Sequence, residues 1–327
     1  MAGAARMPQP DLHSPMRRRE FRAMGSKVVA ILDGEPPAPI LDDVPAWFEE
    51  WEQELSRFRI DSELSRLNAS PGQRRAVSET IWDVFAVSLE AGQLTDGLVN
   101  PLILDDLVHA GYDRTFDLMQ TDLLYEGVRA AAAGPWEFPA FNPLPAPGSI
   151  VIDEARRIVC LPPGAGLDFG GVAKGWAAHQ AMLRLKAAGP ALVSAGGDVS
   201  VSGPRASGDP WRIGVENPFQ SDGYVEMIYL EGGGVATSGK DHRHWRREGI
   251  FQHHIIDPRT RLPASTDILS TTVIAGTVMR AEAIAKAVLI SGSEAGLAMI
   301  EEWEDADAIL VLDNGRLLYS RNIEMYL

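Results

Sequence analysis

The order of helical and strand-like segments in the second half of the chain limits the fold more than any other feature. A helix is predicted over residues 171–188, because Gly189 and Pro190 stop the helical pattern. Short apolar runs follow it and predict strands over residues 191–202, 211–215, 224–230, 253–256 and 268–275. Two further helices are predicted over residues 279–291 and 294–303, and Asn314-Gly315 predicts a hairpin over residues 308–319. Helices mixed with largely antiparallel strands are typical of an α+β fold.

The first half of the chain adds a strand, two amphipathic helices and a proline-rich segment. Residues 21–32 predict a strand interrupted by a glycine. Apolar residues at helical spacing predict helices over residues 46–58 and 80–94, with the aromatic residues of the first helix in the core. Residues 134–148 are rich in proline and predict an irregular loop. We expect a flexible N-terminal tail over residues 1–18 and a single domain over residues 19–327.

The composition excludes several classes of function. The formal net charge of −15 argues against a nucleic acid or an anionic membrane as partner, since both require a basic surface. A single cysteine, Cys160, excludes an internal disulfide and a metal site built from several cysteines. Residues 1–20 lack the apolar segment of a secretory signal, and no later stretch is long enough to span a membrane. These observations predict a cytoplasmic protein without membrane insertion.

A glycine-rich turn over residues 168–175 (DFGGVAKG) is the first candidate for a binding site. Turns without side chains let a ligand approach the backbone, and the start of the following helix offers free N–H groups to an anion. Lys174 adds a positive charge, and Asp168 can accept hydrogen bonds from a polar ligand. A plain connection between a strand and a helix, with a lysine at the surface, remains an alternative.

Four later segments carry further candidates. Residues 194–198 (SAGGD) place an acid after two glycines, which a tight turn explains almost as well as a ligand. Thr237 and Ser238 are small hydroxyl residues where the backbone could approach a phosphate. Residues 253–260 (HHIIDPRT) combine a titratable base, an acid and a cation at the end of a strand. Glu282 and Lys286 lie four residues apart on an otherwise apolar helix, where a buried charged pair costs free energy, although a simple surface pair is the alternative.

These segments, taken in order, resemble the FAD:protein FMN transferase (ApbE) family. The resemblance extends from about Phe21 to the C-terminus. The sequence contains neither a Walker-type phosphate loop nor a Rossmann fingerprint, the motifs that would indicate other nucleotide-binding folds. It is carried by the motifs MGS (24–26), DSELSRLN (61–68), GLVNPL (97–102), DFGGVAKG (168–175), AGGD (195–198), ATSG (236–239) and HIIDPRT (254–260). It implies an ApbE-like α+β fold with mixed or antiparallel sheets and flanking helices.

The resemblance also implies an activity and a set of residue roles. Members of the family bind FAD and a divalent cation, usually magnesium, and transfer FMN to a threonine or serine of a target protein with release of AMP. Some members instead hydrolyse FAD to FMN and AMP. By position, the FAD contacts would be Met24, Asp168, Lys174 and Ile256. The Gly171 carbonyl would face the metal, and His254 would be the catalytic base.

The chain departs from the family in its metal-binding helix, which usually reads Ala-Asp-Ala-Leu-Ala-Thr-Ala. Glu282 and Lys286 stand where the family has the Asp and Thr that supply oxygen ligands. Glu282 still offers a carboxylate, but an ammonium has no lone pair and cannot bind magnesium. The sequence therefore predicts that Lys286 takes the place of the metal, paired with Glu282 and facing the FAD pyrophosphate. A catalytically weak FAD-binding protein and an FAD pyrophosphatase remain alternatives to the transferase.

Arg261 is a second departure, because the family usually has glycine at this position. Arginine is disfavoured if the position requires a positive φ, so the turn is expected to be built differently. The Arg261 side chain is expected in solvent, with a phosphate contact as the alternative.

Overall fold

The computed structural model describes residues 16–34, 40–119, 144–145, 147–220 and 223–327. Its α-helices are α1 (Ile40–Leu55), α2 (Glu63–Asn68), α3 (Glu79–Leu94), α4 (Leu104–His109), α5 (Ala173–Leu185), α6 (Val278–Ser291) and α7 (Ser293–Ile300). Its first nine strands are β1 (Met16–Ala23), β2 (Ser26–Asp33), β3 (Arg75–Ala76), β4 (Val151–Asp153), β5 (Ile158–Cys160), β6 (Ala191–Ala195), β7 (Asp198–Val201), β8 (Trp211–Glu216) and β9 (Tyr224–Leu230). The remaining strands are β10 (Gly233–Gly239), β11 (His244–Arg247), β12 (Ile250–His253), β13 (Ile256–Asp257), β14 (Leu262–Pro263), β15 (Ile268–Ala275), β16 (Ala306–Leu312) and β17 (Leu317–Tyr319).

One large sheet organises the fold. Its eight strands lie in the order β1-β2-β6-β7-β10-β15-β16-β17, and each neighbouring pair is antiparallel. Small sheets formed by β3-β5-β4, β8-β9, β11-β12 and β13-β14 surround it. The α+β fold class is confirmed, and the strand pairs of the described residues are antiparallel throughout.

The two faces of the large sheet pack against different layers. On β10, Ala236 joins a core that includes Ile284 of α6, whereas the next residue back, Val235, packs with Trp211 and Ile228 of the β8–β9 pair. Successive side chains of a strand point to opposite faces, so helices cover one face and a β-hairpin covers the other. The sheet is therefore the middle layer of three.

Helices α1, α3 and α5 form a third part of the core with strands β2 and β6. Trp51 of α1 lies edge-to-face between Phe48 and Trp176, with ring centroids 5.3 Å apart in each case. Such aromatic pairs add to the free energy gained from burial alone. The aromatic residues of α1 are in the core, as the helical spacing predicts. This packing fixes the start of α5, which carries Lys174, against α1.

Two predicted strands are hairpins in the structure. The strand predicted over 21–32 is β1 and β2, joined at Met24 and Gly25 with φ of 52° and 62°. Two successive residues at positive φ form a tight hairpin turn. Methionine rarely adopts this conformation, so the turn was hard to predict from the residue types. The strand predicted over 191–202 is likewise β6 and β7, which fold back at Gly196-Gly197.

Other boundaries also differ from the predictions. The Thr237 and Ser238 segment, where the backbone was expected to approach a phosphate, lies in β10, and both residues pair with β15 of the large sheet. The strand predicted over 253–256 is interrupted between β12 and β13. The tail predicted over 1–18 is too long, since β1 begins at Met16, and residues 1–15 lie outside the described residues. Most of the loop predicted over 134–148 also lies outside them.

No helix in the described ranges has the length and apolar character needed to cross a membrane.

Candidate active site

A single cavity brings together most of the residues singled out in the sequence. It lies where the β1–β2 turn, the start of α5, the β12–β13 connection and α6 meet. Its lining includes Met24, Asp168, Gly171, Lys174, His254, Ile256 and Lys286. Glu282 is fully buried and contacts two of these residues. Thr237 and Ser238 do not line the cavity, and the Thr237 hydroxyl pairs with the Thr272 hydroxyl at 2.8 Å.

The β1–β2 turn is held at the cavity rim by contacts from two other elements. The Met24 N–H donates to Glu52 Oε2 of α1 at 2.7 Å. The Arg243 guanidinium donates to the Gly25 carbonyl and to the Ser26 hydroxyl, each at 3.1 Å. Arg243 also lines the cavity, and no sequence motif pointed to it. The turn is therefore tied to both walls of the cavity.

Asp168 is anchored inside the protein. Its Oδ1 accepts a hydrogen bond from the Gly170 N–H at 2.8 Å, which closes the glycine-rich turn. Its Oδ2 lies 2.6 Å from Nε of Arg57, and both side chains are at least 90% buried. The Arg57 guanidinium lies over the rings of Phe58 and Tyr112, 4.1 Å and 4.8 Å from the centroids. The pair fixes the turn in one position, because separating two buried charges is costly.

Four charged side chains form a buried cluster at the start of α5. Lys174 Nζ lies 2.5 Å from Asp198 Oδ2 and 3.1 Å from Glu282 Oε1. Lys286 Nζ lies 3.1 Å from the same Glu282 oxygen. The Gly175 N–H donates to Glu282 Oε2 at 3.2 Å. Asp198 belongs to the SAGGD segment, whose sequence was explained almost equally well by a tight turn and by a ligand site.

The cluster shifts the pKa values of its two carboxyl groups in opposite directions, down for Glu282 and up for Asp198. Burial alone would raise the pKa of Glu282, but the ammonium groups of Lys174 and Lys286 outweigh burial and lower it. Burial and the neighbouring Glu282 raise the pKa of Asp198 to about 6, against the attraction of Lys174. Burial opposes the charge of Lys174, but Asp198 and Glu282 outweigh it and raise the pKa of the ammonium. Lys174 therefore carries its charge at neutral pH, next to an ionised Glu282.

Glycine at position 175 is required by the close approach of Glu282. A Cβ atom at this position would lie 2.6 Å from Glu282 Oε2, closer than real contacts allow. The absence of a side chain lets the carboxylate reach the Gly175 N–H and the lysines at once.

The atoms of this cluster do not form a set of ligands that suits a divalent cation. The Glu282 oxygens already accept hydrogen bonds from Lys174, Lys286 and the Gly175 N–H. A divalent ion about 4 Å from one ammonium is repelled by roughly 8 kcal/mol at an effective dielectric constant of 20. In the described ranges, no group of three or more His, Cys, Asp or Glu side chains could hold a metal. The Gly171 carbonyl and one occupied carboxylate leave magnesium short of oxygen ligands.

The two adjacent histidines have different environments. His253 donates from Nε2 to the Ala264 carbonyl at 3.0 Å, and its Nδ1 accepts from the Ile255 N–H at 3.2 Å. Burial lowers the pKa of His253 to about 4. Both ring nitrogens are used by the backbone, so His253 is a structural residue.

His254 keeps one ring nitrogen available. Its Nδ1 lies 3.3 Å from the Arg243 carbonyl, which can only accept, so Nδ1 carries the proton and Nε2 carries a lone pair. No residue of the described chain hydrogen-bonds Nε2. Burial, followed by the charge of Arg243, lowers the pKa of His254 well below its usual value. The imidazole is therefore neutral at pH 7 and can accept a proton.

Arg261 is not in solvent and does not line the cavity, contrary to both sequence interpretations. It adopts φ of 62°, so the turn keeps its positive φ with an arginine in place of glycine. Its guanidinium lies 2.6 Å from Asp106 Oδ1, and the Asp106 side chain is fully buried. The buried ion pair offsets the backbone strain at Arg261. The pair could not be predicted from the sequence, because Asp106 and Arg261 are far apart along the chain.

The chain is similar to known proteins of one family. A model of the ApbE family matches residues 24–310. The FAD:protein FMN transferase of Treponema pallidum is 27% identical over 312 residues, which cover 90% of this chain and 84% of that protein. The FAD:protein FMN transferase of Salmonella typhimurium is 30% identical over 250 residues, covering 73% and 67%.

Two solved structures have a fold similar to that of this chain. The ApbE protein of Thermotoga maritima matches with a TM-score of 0.80 at 24% identity, and the match covers 95% of this chain and 99% of that protein. Flavin transferase ApbE of Vibrio cholerae matches with a TM-score of 0.74 at 23% identity, covering 96% and 100%. Because the family model spans most of the sequence and the fold agrees, the chain belongs to the ApbE family.

Proposed function

We propose that this protein transfers FMN from FAD to a threonine or serine hydroxyl of a target protein and releases AMP. One observation carries the proposal: the neutral His254, with Nε2 free to accept a proton, lines the same cavity as Lys174, Lys286 and Arg243. Arg57 lines it as well, paired with Asp168. The family and the curated FAD:protein FMN transferases that resemble the chain support the same reaction.

The reaction balances without a further reactant. The acceptor oxygen forms a bond to the phosphorus of the FMN half of FAD, and the bond from this phosphorus to the bridging oxygen breaks. AMP leaves with the bridging oxygen. The proton of the hydroxyl passes to His254 Nε2 and then to AMP or solvent. Cationic groups near the phosphates stabilise the negative charge that develops on their oxygens.

The proposed roles follow from the placement of the residues. Met24 and Ile256 would provide apolar contacts to FAD, and Asp168, through its pair with Arg57, would hold the glycine-rich turn against it. Lys174 and Lys286 would bind the phosphates. We leave Thr237 and Ser238 out of the FAD site, because they do not line the cavity. A cytoplasmic location stays a prediction.

Magnesium has no role in the proposed steps. The Gly171 carbonyl and Glu282 are the metal ligands that the family resemblance implied. Glu282 is occupied by two ammonium groups, and the site does not fit a divalent ion.

Two alternatives use the same cavity and differ in the product. If water replaces the acceptor hydroxyl, FAD is hydrolysed to FMN and AMP. If Lys286 supports binding but not the transition state, FAD binds without reaction, because a monovalent ammonium stabilises developing charge less than a divalent ion does. The position of Lys286 in the cavity is the observation behind this second alternative.

The test uses purified protein, FAD and a peptide with an Asp-x-x-Thr-Gly-Ala-Thr sequence as acceptor. Chromatography measures AMP, and mass spectrometry measures FMN on the peptide. We expect AMP and flavinylated peptide in equal amounts. AMP with free FMN would indicate hydrolysis, and bound FAD without AMP would indicate a binding protein.

A histidine variant tests the assignment of the base. His254→Gln should lower the rate of AMP release by roughly 100- to 10,000-fold while FAD still binds. His242→Gln is the matched control, because His242 is exposed and does not line the cavity. Equal rates for His254→Gln and the wild type would refute the role of His254.

A further inference from the structure

We propose that the Lys286 ammonium replaces a divalent cation beside the diphosphate of the bound flavin dinucleotide, so that binding and transfer need no metal. This inference rests on the proposed function, since it concerns the same site and the same ligand. It assigns the neutralisation of the diphosphate to a side chain of the protein.

The position of Lys286 is the first argument. Its side chain is 14% exposed and lines the cavity. It packs against the glycine-rich turn, since a Cβ on Gly171 would lie 3.4 Å from Lys286 Cε. The ammonium is held by Glu282, 3.1 Å away, on the next turn of the same helix. The charge is therefore fixed beside the turn and remains accessible from the cavity.

The placement of the charges is the second argument. Lys174 and Lys286 line the cavity, whereas Glu282 and Asp198, the carboxylates that pair with them, are buried behind the lysines and do not line it. The acidic residues that do line the cavity each lie within 4 Å of an arginine: Asp168, Glu52 and Asp117. The buried cluster therefore presents its ammonium groups to the cavity, and this arrangement suits a diphosphate better than a metal ion.

The packing of Glu282 is the third argument. A carboxylate that serves as a metal ligand must direct a lone pair at the ion. Here one oxygen is shared by two ammonium groups and the other accepts from the Gly175 N–H. Glu282 thus acts as a positioning residue for two lysines, and the lysines are the groups directed at the ligand.

The experiment measures FAD binding by isothermal titration calorimetry, once with EDTA and once with magnesium chloride. Riboflavin, which lacks the diphosphate, is titrated in parallel. For the wild type we expect FAD affinities that agree within about twofold in the two buffers. Lys286→Met should weaken FAD binding by roughly 10- to 100-fold, the range for a charged hydrogen bond, and leave riboflavin binding unchanged.

Two further variants separate this effect from misfolding. Lys240→Met removes another buried lysine, which bonds to the Thr266 carbonyl and does not line the cavity, so FAD affinity should stay at the wild-type value. Lys286→Thr supplies an oxygen in place of the ammonium. We expect FAD binding by this variant to become stronger with magnesium than with EDTA.

The outcomes distinguish the inference from the function on which it rests. FAD binding by the wild type that requires magnesium would overturn the role of Lys286 and leave the transferase intact. Wild-type FAD affinity in Lys286→Met would also overturn it. Absence of FAD binding by the wild type in both buffers would instead refute the proposed function itself.

Discussion

Removing the charge of Glu282 tests whether the buried cluster holds the site together. Glu282→Gln keeps the shape of the side chain, but the amide presents one acceptor oxygen where the carboxylate presents two. Each of the two contacts with an ammonium, at 3.1 Å, is worth about 5 kcal/mol of Coulomb energy at an effective dielectric constant of 20. The recovered desolvation energy of the carboxylate offsets part of this. We expect a net loss of roughly 3 to 5 kcal/mol in the free energy of unfolding.

Urea denaturation, followed by circular dichroism, measures this loss. Asp305→Asn is the matched control, because it breaks the exposed pair between Asp305 and Arg280 of the same helix, which should cost under about 1 kcal/mol. Combining Glu282→Gln with Lys286→Met should restore part of the stability, with a coupling energy of about 1 to 3 kcal/mol. A loss for Glu282→Gln no greater than for Asp305→Asn would refute the reasoning.

Three further predictions concern the packing and titration of the fold. Gly175→Ala would bring a Cβ within 2.6 Å of a buried carboxylate oxygen, so thermal unfolding should show a loss of roughly 1 to 3 kcal/mol, whereas Gly276→Ala, which meets nothing within 4 Å, should be neutral. Asp106→Asn leaves Arg261 without its buried carboxylate and should cost roughly 3 kcal/mol in a urea titration; a neutral result would show that the pair does not offset the strain at φ of 62°. The pKa of His253 is lowered to about 4 in the folded state, so the folded protein binds fewer protons than the unfolded chain between pH 4 and 6.5. The contribution of His253 to stability should therefore fall by roughly 3 kcal/mol as the pH is lowered through this window. His253→Gln should remove this part of the pH dependence, while the part due to His254, whose pKa is also lowered, should remain.

Elements with a strong local signal were predictable from the sequence. The predicted strand over 268–275 matches β15, and the helix predicted over 80–94 begins one residue later than α3. The Asn314-Gly315 hairpin is formed by β16 and β17. In these segments the periodicity and the turn residues agree with the tertiary structure.

The rest depended on contacts between distant parts of the chain. Arg57 follows an amphipathic helix and has no motif of its own, yet it holds Asp168. Strand β10 contains four small residues in a row and is recognisable only from its two neighbours in the sheet. The choice between His253 and His254 came from the family resemblance, and the structure supplies a physical reason for it in their hydrogen bonds.

The all-antiparallel sheet has a consequence for how the protein acquires its site during folding. The cavity draws its residues from the first strand pair, from α5 in the middle of the chain and from α6 near its C-terminal end. Chains dominated by such long-range contacts fold slowly, because loops must close before the contacts form. The cavity is therefore complete only when the distant strands and helices have packed together, and a partly folded chain lacks it.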